Sequence, residues 1–175
     1  NKFDLSIIIN TYNNITFIKI DNSKCKLNGY MNMNFTINKL ISGWDKALYY
    51  FGCINNNYDF IWFIEDDVFF YNELTIKKLD DQYKDDDLLS NIYYNQKDDK
   101  DNWHWKRIKM QYQPPYYHGM MCCVRISKRM INFINDYANK NKTLFFLEAL
   151  FPIIVIKNNL KYKFYFILKI YCCLN

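Results

Sequence analysis

The chain has 175 residues, half of them hydrophobic and 19% aromatic, with only four glycines and three prolines. That is enough apolar mass for one packed core over residues 1–175, and it excludes a disordered or low-complexity chain. The formal charge of +5 is scattered, apart from a cluster at Lys106, Arg107 and Lys109, so no nucleic acid is expected as partner, while an anionic small molecule is compatible.

In chain order, Phe3 to Asn10 reads as a buried strand, ended by the polar turn Thr11-Tyr12-Asn13-Asn14. Thr16 to Ile20 is a second β-prone run, closed by Asp21-Asn22-Ser23. The linker between these runs is too short for a parallel crossover, which needs about ten residues or more; this conflicts with a full doubly wound N-terminal unit. Asn38 to Phe51 is the clearest helix, with Asn38 as N-cap and a stripe of Leu40, Ile41, Trp44, Leu48 and Phe51. Asp45 and Lys46 fall off that stripe.

Phe60 to Ile64 is a short, continuous run of aromatic and β-branched residues, the pattern of a strand buried on both faces. Glu65, Asp66 and Asp67 follow without a spacer, and apolar residues resume at Val68. Carboxylates held between apolar stretches need a counter-charge. A divalent cation with a phosphate-bearing substrate supplies one; acids fanning into solvent need none. Asn72 caps a helix to about Tyr83 with Leu74 and Leu79 inward. Asp85-Asp86-Asp87 and Asp98-Asp99 read as solvated surface, and Leu88 to Tyr94 as a strand. Trp103-His104-Trp105 reads equally as a stacking platform or as core.

Met120 to Ile126 is a strand, and Ser127 caps a helix from Lys128 to about Asn139 whose inward stripe is Met130, Ile131, Ile134 and Tyr137. Thr143 caps a helix from Leu144 to about Ile156. That helix is almost wholly apolar except for Glu148, with Pro152 inside it. Tyr162 to Ile170 is a closing β-segment. The apolar runs are too short or too interrupted for a transmembrane segment. The N-terminus runs directly into a strand instead of a charged-then-apolar leader. Six cysteines without zinc spacing point to free thiols in a reducing, cytoplasmic compartment.

Several of these segments together resemble the GT-A glycosyltransferases. Ser6-Ile-Ile-Ile-Asn-Thr-Tyr-Asn13 resembles the opening strand and turn of the large inverting family, and Asp21-Asn22-Ser23 the acidic turn after its second strand. Glu65-Asp66-Asp67 resembles the DxD motif. A smaller GT-A-like group is similar in the order Trp-Asp-Lys-Ala (Trp44 to Ala47), Trp-x-x-Glu-Asp-Asp-Val (Trp62 to Val68), Arg125-Ile-Ser127 and Glu148-Ala-Leu-Phe-Pro152. The resemblance implies an α/β, GT-A-like single domain whose mostly parallel nucleotide-binding sheet is flanked by helices.

It also implies roles. Thr11, Tyr12, Asn13 and Asp21 would hold the base and ribose of a nucleotide-sugar donor such as a UDP-sugar. Lys46 would approach the diphosphate, and Asp66 the ribose or sugar. Glu65 and Asp67 would bind Mn²⁺ or Mg²⁺, with His118 as a third ligand. Glu148 would be the general base toward a glycan or protein hydroxyl acceptor, and an isolated carboxylate in an apolar helix holds its proton more tightly, which suits that task. For Lys46, His118 and Glu148 the alternatives are an exposed helical lysine, a loop histidine that only hydrogen-bonds, and a salt-bridged carboxylate. The implied reaction is metal-dependent sugar transfer with inversion, since a single displacement needs one base. A non-catalytic nucleotide- or glycan-binding protein and a nucleotidyltransferase are the other readings, the last disfavoured by the lack of a Gly-rich phosphate loop.

Overall fold

The computed structural model describes residues 16–70, 72, 74–90, 93–95 and 105–164. Its elements are α1 (Asn22–Leu27), α2 (Met33–Asn38), α3 (Gly43–Tyr49) running into a π-helical turn (Tyr50–Ile54), β1 (Phe60–Ile64), α4 (Thr75–Gln82), β2 (Leu88–Ser90), β3 (Tyr93–Asn95), α5 (Trp105–Gln111), β4 (Tyr117–Gly119), β5 (Cys123–Ser127), α6 (Lys128–Asn141), α7 (Leu147–Lys157) and β6 (Tyr162–Phe164). The protein is α/β: a mixed four-stranded sheet in the order β1-β5-β2-β6, a separate β3-β4 pair, and helices around them. No described helix is long and apolar enough to cross a membrane.

The sheet differs from the expected one. β5 pairs antiparallel with both β1 and β2, and only β2 and β6 run parallel. Within the described residues it is therefore mixed and not mostly parallel. The expected Phe3–Asn10 strand lies outside the described residues. β1 is an edge strand of the described sheet, and only Phe63 in it is buried, while Phe60 and Ile64 are exposed. Burial on both faces, read from its apolar run, is corrected accordingly.

Two carboxylates stitch the sheet to its surroundings. The buried Arg125 guanidinium of β5 donates to Asp80 at 2.8 Å and to the backbone oxygens of Tyr83 and Asp86, and it stacks over the Phe60 ring. Trp62, opposite Arg125 in the ladder, donates to the same Asp80 oxygen. Asp87, read as solvated surface, is instead buried at 4% exposure. It accepts from Ser127 Oγ at 2.6 Å, from Arg129 through Nε and Nη2, and from Lys161 N at 2.9 Å. Burial pushes its carboxyl up, but the bonds from Arg129, Ser127 and Lys161 outweigh that and hold it below the usual range. A run of like acids does not reveal which of them the β2 entry turns inward.

Helix boundaries shift for identifiable reasons. Asn38 ends α2, and the next helix starts at Gly43 because Ser42 and Asp45 form a reciprocal capping box. Leu40, placed on the inward stripe, is consequently exposed. The helix continues as a π-turn at Gly52, where a Cβ would stand 2.5 Å from the Tyr30 hydroxyl, so a larger residue would have to displace that buried side chain. Thr16 to Ile20 forms no strand; it leads to Asp21, which caps α1 by accepting from Ser23 N at 2.7 Å. Asn72 closes a turn onto Leu74 N, and Leu74 is exposed, not inward. α6 matches its stripe: Met130, Ile131 and Ile134 are buried beneath the Ser127 cap. Cys25, Cys53, Cys122 and Cys123 form no disulfide among the described residues, and burial first of all raises Cys25 to about 11. Trp105 resolves to core on α5, while Trp103 and His104 lie outside the described residues.

Candidate functional site

The acidic triplet sits on a turn held by backbone and by an apolar foot. Glu65 N–H donates to Cys122 O at 2.9 Å, extending the β1–β5 ladder by one step, and Val68 N–H returns to Glu65 O at 3.1 Å. Val68 is buried against Cys122 and Cys123, with Trp62 and Phe70 beside them. The turn thus anchors its fourth residue and leaves Glu65, Asp66 and Asp67 exposed. None of the three makes a salt bridge among the described residues. Among the described residues the Glu65 carboxylate has one hydrogen-bond partner, the Trp44 indole N–H, which reaches its Oε1 at 2.7 Å.

A cleft of about 750 Å³ opens beside this turn, within the size range of small-molecule sites. Glu65, Asp67 and Trp44 form one side. His118 to Cys122, from β4 and the approach to β5, form a second side; Phe145 to Glu148, at the start of α7, form a third. Asn32 to Asn34 and Ile37 close it. Four residues named from sequence, Glu65, Asp67, His118 and Glu148, therefore share one cavity although they come from three distant segments.

The entry to α7 explains how Glu148 reaches the cleft. Leu144 N–H and the Thr143 hydroxyl both donate to Met31 O, and Met33 N–H donates to Phe145 O at 2.7 Å, pinning this segment to the start of α2. Phe145 takes φ +56, a left-handed conformation costing a bulky residue roughly 1–3 kcal/mol. The bonds on either side and ring contacts to Tyr112 and Phe146 hold it there. α7 begins three residues later than expected, at Leu147, and not directly after Thr143. It is buried at every position from Leu147 to Val155 except Glu148, which is exposed. Apolar burial of this carboxylate, the basis of the sequence argument for a tightly held proton, is thus not its state. Pro152 has no N–H to return to the Glu148 carbonyl, so the turn carrying Glu148 lacks that helical bond.

The remaining named residues scatter. Lys46 is not among the cleft residues; Trp44 is, and two positions along a helix turn the side chain by about 200°, placing Lys46 on the far face. There its charge acts on Cys25. Asp66 lines only a smaller recess of about 360 Å³ that shares Trp44, Glu65 and Asp67 with the cleft. Asp21 is a helix cap and lines neither space. Thr11, Tyr12 and Asn13 lie outside the described residues. His118 is half-buried on β4, edge-on to Trp105 at 5.0 Å.

Asp45 was missed. Fully buried, it accepts from Asn32 N at 2.7 Å and from Ser42 N at 2.8 Å and its hydroxyl at 2.9 Å, tying the starts of α2 and α3 together beneath the cleft. Burial raises its pKa against the opposing bonds from Ser42 and Asn32. The signal was present in Ser42-x-x-Asp45, the spacing of a capping box.

The donor set decides what the cleft can hold. Its described lining residues include three carboxylates and neither lysine nor arginine, an arrangement that attracts cations and repels a bare diphosphate. Among the described residues no three or more His, Cys, Asp or Glu side chains are grouped to hold a metal ion. His118 therefore does not complete a protein-only shell with Glu65 and Asp67. Two hard carboxylates fit a Mg²⁺- or Mn²⁺-type site in which substrate phosphates and water provide the other ligands. No family model, curated protein or solved structure matches the chain.

Proposed function

We propose that the protein is a metal-dependent glycosyltransferase of GT-A-like fold that moves a sugar from a nucleotide-sugar to a hydroxyl acceptor with inversion. The observation carrying this reading is the convergence of Glu65, Asp67 and Glu148 on one cleft that has no lysine or arginine among its described lining residues. An anionic diphosphate enters such a cleft only together with a cation.

Glu65 and Asp67 would hold Mn²⁺ or Mg²⁺; the ion, when bound, neutralises charge on the leaving diphosphate. Glu148, from the third side of the cleft, takes the acceptor hydroxyl proton as that oxygen attacks the anomeric carbon and the bond to the diphosphate breaks. His118 contacts substrate from the second wall and is not assigned to the metal. The test is donor hydrolysis or transfer across a panel of nucleotide-sugars with Mn²⁺. Turnover by the wild type and its loss in Asp67→Asn, with melting temperature kept, support the reading.

A second reading, a non-catalytic binder of hydroxyl-rich ligands, draws on the apolar side chains Met33, Met121 and Phe146 among the cleft lining. It predicts glycan binding that is indifferent to metal and no turnover. A nucleotidyltransferase would instead require a nucleoside triphosphate.

A further inference from the structure

The two spaces beside the acidic turn share Trp44, Glu65 and Asp67, and Trp44 is the side chain that binds them together. Its indole N–H donates to Glu65 Oε1 at 2.7 Å. Its ring stacks on Phe63 of β1 (centroids 5.5 Å apart, planes 22°) and meets Phe151 of α7 edge-on at 6.2 Å. Phe151 lies one turn beyond Glu148 on the same helix. One residue therefore contacts the strand before the acids, one of the acids, and the helix bearing the candidate base. The start of α3 fixes its place, because the Ser42–Asp45 capping box sets where that helix begins.

We infer that Trp44 is a positioning residue for Glu65: it occupies Oε1 and fixes the carboxylate plane so that Oε2 is the oxygen offered to a divalent cation. This rests on the function proposed above. An exposed glutamate samples several rotamers, and a cation would have to select one of them at an entropic cost. A neutral donor anchored by two aromatic contacts removes that freedom without competing for the metal. Outer partners of this type typically change metal affinity by about 10–100-fold when lost.

The experiment measures Mn²⁺ binding by electron spin resonance, with uridine diphosphate present, for wild type, Trp44→Phe, Glu65→Gln and the double variant. Trp44→Phe keeps a ring in the stack and loses the donor; Trp44→Tyr, also without a donor at that ring position, is the second variant should phenylalanine not fold. The expected result is an affinity roughly tenfold or more weaker in Trp44→Phe, with no further loss when the change is made in Glu65→Gln. Binding within twofold of wild type in a folded Trp44 variant overturns the inference and leaves the proposed function standing. So does a full additional loss in the double variant, which would mean that Trp44 acts by packing and not through Glu65. Absence of Mn²⁺ binding by the wild type sinks both.

Discussion

Replacing Asp87 by asparagine tests whether the buried end of the sheet is held as described. Four donors converge on its carboxylate: Ser127 Oγ and Arg129 Nε on one oxygen, Arg129 Nη2 and Lys161 N on the other. An asparagine oxygen can serve one pair, but its NH₂ then faces the other two donors. Leaving a buried donor unsatisfied costs about 1–3 kcal/mol. The exposed Arg129 recovers much of its share from water, so the loss should be about 2–3 kcal/mol, or roughly 5–10 °C in melting temperature for a chain of this size. The pH dependence has a definite sign. Asp87 is held below the usual aspartate range, so its stabilisation is present above about pH 4 and is lost as pH falls through the depressed native value. Asp87→Asn should therefore lower stability at neutral pH and flatten the acid limb of the curve. Urea unfolding at pH 7 and across the acid range measures both. Neutral stability within about 0.5 kcal/mol of wild type, a typical surface effect, would refute the reasoning, because it would mean that Asp87 is solvated after all.

Other changes probe the site. Glu148→Gln should lower kcat by about 10²–10⁴-fold, the usual contribution of a general base, while donor and metal affinities stay near wild type in equilibrium titrations. Asp67→Asn should abolish metal-dependent nucleotide binding and leave the melting temperature unchanged, since Asp67 is exposed and has no salt bridge among the described residues; calorimetry and thermal melts check the two halves separately. Ser42→Ala should cost about 1 kcal/mol through the lost cap, and somewhat more if the buried Asp45 is left short of a donor, read by chemical denaturation.

What could be read from the residues was mostly local. The α6 stripe and its Ser127 cap were legible because periodicity and capping are properties of adjacent residues. The apolar run before Glu65 correctly marked a strand over Phe60–Ile64, but it could not say that β1 is exposed on its outer positions, which depends on its place in the sheet. Strand direction was illegible for a similar reason: nothing in Cys123–Ser127 tells which neighbours it will choose. Asp87 and Asp45 look like ordinary surface acids until distant partners, Lys161 and Asn32, arrive to bond them. At the site, the residue types of Glu65, Asp67 and Glu148 were visible, whereas Lys46, two positions from Trp44 on the same helix, is not among the cleft's lining residues. The Trp44–Glu65 bond spans two motifs that could be recognised separately but not connected.

The central claim is that the acids on this turn, through a divalent cation, accept a nucleoside diphosphate. Thermal denaturation with a panel of nucleoside diphosphates, each with and without Mn²⁺, tests it most directly. The account predicts stabilisation by at least one diphosphate only when the metal is present, about 2.7 kcal/mol at a ligand concentration one hundred times Kd. Stabilisation that is unchanged when the metal is chelated, or no stabilisation by any member of the panel, would contradict it.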